Sequence, residues 1–235
     1  WLTWKAQRTN LFRAVETGVE FEFGIFHWLQ TSFYLNAKHQ MQELKDTTGK
    51  TIDLKRSSSF SFSHVFKVNI LNPSVHPVGL GLYLEYYLFP HETELEAKLL
   101  IDRWFPRNFL TFNLTYEHEM EYELEKEEGK VEVEREHVVN PSLGYMYLVR
   151  EKSPVLGIGI ELWNHNEIFE GKWEHSALFG GPTILFARKS EKVGFFIIGN
   201  IMPQITNLGG EAPSGKPVLD EHEKYMMRFI LGIEL

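Results

Sequence analysis

Strict alternation of apolar and polar side chains with a period of two is the feature that most limits the fold of this chain. Between Thr111 and Glu125 one row holds threonine, asparagine and glutamate, while the other row is Phe112, Leu114, Tyr116, His118, Met120, Tyr122 and Leu124. Successive side chains of a β-strand point to opposite faces, so this period predicts a strand with one apolar and one polar face. The pattern recurs at 18–25, 79–88, 94–102 and 156–162. We therefore predict an all-β fold.

The composition excludes several classes of protein. No stretch approaches the roughly 18 consecutive apolar residues of a membrane-spanning helix, and the absence of cysteine rules out disulfides, thiolate metal sites and cysteine nucleophiles. A net charge of -8 argues against a nucleic-acid partner, because phosphates require a basic surface. No linker-like segment divides residues 1–235, which we interpret as a single domain. Since Trp1 is not a natural start, we expect a mature or trimmed chain whose signal segment has been removed.

Alternation alone also fits a soluble β-sandwich or a lipocalin-like barrel, but three features favour a membrane-spanning barrel. Several strands run to about ten residues or more, the length that a tilted strand needs to cross a bilayer. The polar rows are rich in small and charged residues, which suits a polar lumen. Aromatic residues gather beside short turns, where rings would lie at the membrane–water boundary: Phe26, Trp28, Trp104, Phe105, Phe109, Tyr145 and Tyr147.

Two kinds of connection alternate along the chain. Tight turns are predicted at 24–27, 72–77, 105–108, 150–154 and 188–192, and longer loops at 43–57, 89–93, 126–131, 164–174 and 206–220. This is the outer-membrane arrangement, with short turns and both termini in the periplasm. We predict a closed, up-and-down antiparallel barrel of twelve strands. Ten or fourteen strands are the alternatives, because Asn140-Pro141 and Gly180-Gly181-Pro182 interrupt the alternation at 131–149 and 176–187.

Three segments carry a resemblance to small bacterial outer-membrane barrels, including families of unassigned function. They are Val19–Gly24, Leu95–Leu99 and the terminal Met227–Leu235. The resemblance implies an outer-membrane location, with the lipid bilayer and lipopolysaccharide as surroundings, and implies no cofactor. Such proteins typically end in an aromatic residue after an alternating last strand, whereas this chain keeps the alternation but ends in Leu235.

The predicted inward row is acidic and has few expected counter-charges, namely Lys38, Lys67, Lys98 and Arg228. We expect a narrow porin-like channel or binding barrel for small solutes or cations, because carboxylates in a narrow lumen raise the local concentration of cations. The alternative is a structural or interaction barrel, in which the charges pair across a filled lumen and the loops meet an outside partner. The lumen candidates are Glu20, Glu22, Glu85, Glu94, Glu96, Lys98, Asp102, Glu161 and Arg228.

A second acidic feature is the hairpin between Glu117 and His137. Glutamates on its two strands are expected to face one another, which is unfavourable unless a divalent cation bridges them. The candidate metal ligands are Glu119, Glu121, Glu123, Glu132 and Glu134. The alternative is a solvated extension of the barrel without a metal.

The sequence contains no recognisable set of catalytic residues, although some outer-membrane barrels are lipid-modifying enzymes. Such an activity would require a serine and a histidine close together at the rim. Ser63 and His64 are adjacent, but in a strand they point to opposite faces. His165 and His175 are expected on or near an extracellular loop as ordinary surface residues. We predict no enzyme, and the absence of an HExxH motif argues against a zinc enzyme in particular.

Overall fold

A computed structural model describes residues 1–45, 51–89, 92–125, 130–190, 192–220 and 222–234. The chain forms twelve β-strands: β1 Leu2–Ala6, β2 Phe12–Phe26, β3 Leu29–Lys45, β4 Thr51–Leu71, β5 Gly79–Leu88, β6 Glu92–Trp104, β7 Asn108–Glu125, β8 Lys130–Arg150, β9 Val155–Phe169, β10 Lys172–Lys189, β11 Gly194–Asn207 and β12 Tyr225–Glu234. In these ranges no helix is long and apolar enough to cross a membrane.

The strands form one closed antiparallel sheet. Each strand pairs with its neighbours in the chain, and β1 pairs with both β2 and β12, so that Leu2 lies opposite Thr17 on one side and Phe229 on the other. The prediction of a closed barrel with twelve strands is confirmed. The doubtful stretches 131–149 and 176–187 each lie within a single strand, β8 and β10.

The connections at one end of the barrel agree with the predicted tight turns to within a few residues, whereas those at the other end differ from the predicted loops. At one end, which we call the turn end, the connections are 27–28, 72–78, 105–107, 151–154 and 190–193. At the opposite loop end, the predicted loops 43–57 and 164–174 are wrong, because β3 and β4 occupy most of the first and β9 and β10 most of the second. Extending a hairpin pairs its backbone groups with one another, whereas those of an open loop must bond to water or side chains. The predicted loop 126–131 lies largely outside the described residues.

The β11–β12 connection, 208–224, is long and is held against the loop end. Thr9 and Lys224 donate backbone hydrogen bonds to Leu219 and Gln7, at 2.8 and 2.6 Å. Gln204 and Asn207, at the end of β11, donate backbone hydrogen bonds to Lys224 and Lys216, both at 2.8 Å. The segment is therefore folded back onto the barrel. The sequence predicted a loop at 206–220 but not that the loop docks against the barrel.

The alternation places polar side chains inside the barrel and apolar side chains outside. On β5 the outer row, Leu82, Leu84, Tyr86 and Leu88, is between 42% and 51% exposed. The opposite row of the same strand, Tyr83 and Glu85, is buried inside. The buried apolar cluster also lies inside, on one wall, and consists of Ala177, Phe179, Met202 and Met226, with Trp163 packed against it.

Two inward-facing glycines lie where neighbouring backbones approach closely. A Cβ atom at Gly159 would collide with the backbone carbonyl of Tyr145, and one at Gly181 with the carbonyl of Ile201. Only glycine fits such an approach. Gly24 is a contrasting position, because a Cβ atom there would meet nothing within 4 Å.

We expect Gly159→Ala to lower the free energy of unfolding by about 1–3 kcal/mol, since the clash is with backbone rather than with a flexible side chain. The measurement is the urea-unfolding midpoint of the refolded barrel. Gly24→Ala is the matched control and should leave stability unchanged or raise it by about 0.4–1 kcal/mol. Equal effects at the two positions would contradict the close approach.

Candidate functional site

The lumen contains a cavity of about 560 Å³ with an acidic lining. Three tyrosines, Tyr34, Tyr83 and Tyr87, several small polar side chains and a few apolar ones also line it. Carboxylates outnumber basic groups six to three: Glu16, Glu20, Glu85, Glu96, Glu117 and Glu161 against Lys5, Lys98 and Arg228. The formal charge facing the cavity is therefore negative.

Several of these carboxylates are paired with basic side chains. Lys98 Nζ lies 2.8 Å from Glu96 Oε1, and Arg228 Nη2 lies 2.7 Å from Glu161 Oε1. Lys67 binds two carboxylates at once, Glu20 at 2.9 Å and Glu22 at 2.5 Å. The sequence identified all three cations as inward counter-charges, and the structure places each beside predicted acidic partners.

Two cavity carboxylates, Glu85 and Glu117, have no lysine or arginine within ion-pair distance in the described part of the chain. Glu85 is 3% exposed and accepts hydrogen bonds from Ser63 Oγ, at 2.6 Å, and from the Tyr83 hydroxyl. Glu117 accepts a hydrogen bond from the Asn140 amide at 2.8 Å. These neutral donors orient the carboxylates but do not neutralise their charge.

The strand register aligns the acidic residues across three neighbouring strands. Glu85 on β5 lies opposite Glu96 on β6, which lies opposite Glu117 on β7. One step toward the loop end, Glu94 lies opposite Glu119. We call these five residues the acid wall. Because like charges directly across strands repel, the wall is an unfavourable arrangement unless a proton or a cation joins it.

Tyr83 provides an aromatic surface next to the acid wall. The Lys98 ammonium lies 4.5 Å from the centroid of the Tyr83 ring, and the Lys67 ammonium lies 6.0 Å away. Both contacts have the geometry of a cation–π interaction. The cavity thus already accommodates ammonium groups between an aromatic face and carboxylates.

The structure brings most of the predicted lumen residues together. Glu20, Glu85, Glu96, Lys98, Glu161 and Arg228 line the cavity. Glu94 lines a second cavity of about 200 Å³, and Glu22 faces inward in its pair with Lys67. Asp102 lies opposite Gly79 at the turn end, away from both cavities. Sequence reasoning assigned Glu117 to the projecting hairpin and so missed its place in the cavity wall.

The candidate ligands on the β7–β8 hairpin face one another as predicted. Glu119 lies opposite Glu136, Glu121 opposite Glu134 and Glu123 opposite Glu132. The side chains of Glu123 and Glu132 lie outside the described residues. Among the described side chains, Glu119 gathers instead with Glu94 and Glu117, with carboxylate oxygens within 4.8 Å of one another.

Crowding of carboxylates affects the loop end of this hairpin, where Glu136 lies opposite Phe169, the last residue of β9. Burial, with repulsion from Glu92 and Glu167, raises the pKa of Glu119 to about 7. Burial, with repulsion from Glu167 and Glu119, raises the pKa of Glu136 to about 8. The charged forms of both residues are therefore disfavoured in the folded barrel.

A cluster of three histidines and one glutamate lies inside the barrel near the loop end. The expectation that His165 and His175 are ordinary loop residues is wrong: they lie on β9 and β10, on the inner face, and His175 is 1% exposed. Glu167 and His222 complete the cluster. Burial, with repulsion from the other two imidazoles, lowers the pKa of His222 to about 2, which keeps its ring neutral.

The serine and histidine positions relevant to an enzyme are also defined. Ser63 points into the lumen and His64 stacks on Phe33 outside, as the alternation predicted. A pair that the sequence did not suggest lies on β3 and β4, where His39 Nδ1 is 2.8 Å from Ser58 Oγ. No described carboxylate or amide side chain hydrogen-bonds to His39. The pair therefore lacks the third group that orients the imidazole in hydrolytic triads.

Fold and cavity together define a closed antiparallel barrel with an acid-lined lumen. The chain belongs to a family described as a family of unknown function (DUF6662), whose model matches residues 1–235. This agrees with the resemblance to families of unassigned function found in the sequence. No curated protein matches the chain.

The raised pKa of Glu136 predicts how stability depends on pH. The free-energy cost of ionising this carboxyl is absent below its ordinary pKa of about 4.3 and complete above about 8. Stability should therefore fall as pH rises between these values. Glu136→Gln should raise the urea-unfolding midpoint at pH near 9, by about 1 kcal/mol or less after solvent screening, and leave it unchanged near pH 4. Glu211→Gln, in the exposed β11–β12 connection, is the control, and a gain from Glu136→Gln at both pH values would contradict the assignment.

Proposed function

We propose that this protein is an outer-membrane barrel whose acid-walled lumen binds and passes small cations or positively charged solutes. The observation that carries the proposal is a pair of carboxylates, the buried Glu85 and the half-buried Glu117, that face the cavity without a basic partner among the described residues. The turn end would face the periplasm and the loop end the outside.

The outer surface supports a lipid environment. A typical soluble monomer exposes apolar patches of at most about 300–600 Å², whereas here exposed apolar side chains occur on strands around the barrel. Examples on four different strands are Phe21, Leu84, Ile158 and Leu231, each at least 51% exposed. β5, ten residues long, matches the roughly 9–11 residues of a tilted spanning strand. Exposed aromatic residues lie at the turn end, including Phe26, Trp28 and Trp104.

The acid wall supports a cation as the ligand. Burying a carboxylate without a counter-charge is costly, so the site favours whichever positive species reaches it. Three carboxylates in register share one nearby ammonium, that of Lys98. The cation–π contacts of Tyr83 further indicate that the cavity suits ammonium groups as well as metal ions.

Substitution on the outer face tests the membrane location. In lipid vesicles, Leu84→Arg should lower the free energy of unfolding by about 2–4 kcal/mol, because an arginine near the middle of the bilayer is costly. Leu54→Arg is the matched control. Leu54 is a similarly exposed outer-face residue on the part of β4 beyond the apolar surface, and its substitution should cost about 0–1 kcal/mol. Equal costs would argue against a bilayer around β5.

Conductance in a planar bilayer under a salt gradient tests the passage of ions. We expect stable, cation-selective steps from the wild-type barrel. Glu85→Gln combined with Glu117→Gln should reduce the cation-over-anion permeability ratio by on the order of tenfold, because the uncompensated charges are removed. Glu170→Gln, in the exposed β9–β10 turn, is the control and should leave selectivity unchanged.

A folded but silent barrel would overturn the passage of ions and favour a second candidate, a structural or interaction barrel with a filled lumen. A specific observation supports this candidate. Phe179, Met202, Met226 and Trp163 pack together inside the barrel, and segment 208–224 is hydrogen-bonded across the same side of the loop end. Heat-dependent migration on gels would establish that the silent protein is folded.

A further inference from the structure

Four potential metal ligands from three separate segments converge inside the barrel near the loop end. His165 and Glu167 come from β9, His175 from β10 and His222 from the β11–β12 connection. One ligand atom from each residue lies within 4.8 Å of the others. His175 Nε2 is 3.2 Å from Glu167 Oε2 and 2.5 Å from His222 Nε2, and His165 Nε2 is 3.7 Å from Glu167 Oε2.

These separations are close to those of a tetrahedral metal site. Two ligands about 2.0–2.1 Å from a zinc ion at tetrahedral angles lie about 3.3 Å apart. The two distances from Glu167, 3.2 and 3.7 Å, bracket that value. The short contact between His175 and His222 would need to open by about 0.8 Å. His222 lies in a connecting segment rather than in a strand, so it is the ligand best able to make that shift.

The surroundings favour a bound ion over a solvated cluster. His175 is 1% exposed, and the His222 ring packs edge-on against Phe179, with ring centroids 6.0 Å apart. Two basic side chains that act on the cluster are paired with other acids: Lys5 lies 3.1 Å from Glu16, and both Lys5 and Arg8 lie 3.9 Å from Glu223. Glu167, whose carboxylate contacts His165 and His175, can therefore share a metal ion with the imidazoles.

We propose that His165, Glu167, His175 and His222 form a binding site for a d-block divalent cation such as Zn²⁺. Imidazole and carboxylate ligands suit zinc, nickel or cobalt, whereas calcium and magnesium take oxygen ligands. Four protein ligands make a closed site of the structural kind. Because its ligands come from β9, β10 and the β11–β12 connection, the ion ties segment 208–224 to the barrel wall.

This site is separate from the proposed passage of cations. None of its four residues lines either cavity, and it holds one ion between imidazoles rather than passing ions along carboxylates. Failure of metal binding would leave the conductance proposal untouched. A silent barrel would likewise leave the metal site untouched.

The test is Zn²⁺ titration by calorimetry of the refolded, chelator-stripped barrel, with Co²⁺ absorption as a report of tetrahedral coordination. We expect one ion per barrel and the intense visible bands of tetrahedral Co²⁺. His222→Gln and His165→Gln should each weaken binding by at least about 100-fold, more than the loss of an outer-shell partner. Both variants must migrate on gels as folded barrels, so that weaker binding cannot be a result of misfolding.

The matched control is the double variant His118→Gln, His137→Gln. These two imidazoles also contact each other, with Nδ1 atoms 3.3 Å apart, but lie on the outer face of β7 and β8. The control should bind Zn²⁺ as the wild type does. The proposal is wrong if the control loses Zn²⁺ binding, or if both His222→Gln and His165→Gln keep it.

A second measurement tests whether the ion holds segment 208–224 against the barrel wall. Zn²⁺ should slow amide hydrogen exchange of residues 208–220 by at least about tenfold in the wild type and not in His222→Gln, because the ion stabilises the docked state of the segment. If Zn²⁺ does not change amide hydrogen exchange in the wild type, the ion does not stabilise docking of the segment.

Discussion

Pairing of β1 with both β2 and β12 is the constraint on which the rest of this structure depends. An open sheet of this size would leave two edges of unpaired backbone donors and acceptors, whereas a closed sheet has none. Closure also gives the sheet an inside and an outside, so the alternation within each strand becomes a separation across the whole molecule. Polar rows that would face solvent on a flat sheet face one another across the lumen, and the apolar rows form its outer surface.

That separation concentrates charge. Glu85, Glu96 and Glu117 are far apart in the chain, but the register places them side by side on β5, β6 and β7. The polar contacts around them are unequal: among the described residues Lys98 pairs with Glu96, while Glu85 and Glu117 have no basic partner and accept hydrogen bonds from neutral donors. The proposed preference for cations depends on this imbalance rather than on the total number of acidic residues. The register and the folded-back segment likewise bring together His165, Glu167, His175 and His222 on β9, β10 and the β11–β12 connection.

Much of the architecture was predictable because strand alternation is a local property. The number of strands, the inward row on β5 and β6, and the counter-charges Lys67, Lys98 and Arg228 all follow from side-chain period and residue type. The loop end was less predictable, since polar residues at 43–57 and 164–174 are compatible with both open loops and long hairpins. His165 was therefore misplaced in a loop, and Glu117 was assigned to a projecting hairpin although it belongs to the cavity wall.

The sequence by itself determined that this chain forms a closed barrel with an apolar exterior and an acidic interior, because a period of two fixes which side chains share a face. Only the tertiary structure decided which acids are paired, which remain uncompensated, and that His165, Glu167, His175 and His222 meet. Those outcomes depend on the register between strands and on the folding back of segment 208–224. Register and loop docking join residues distant in sequence, and no local pattern in this chain encodes the distance between them.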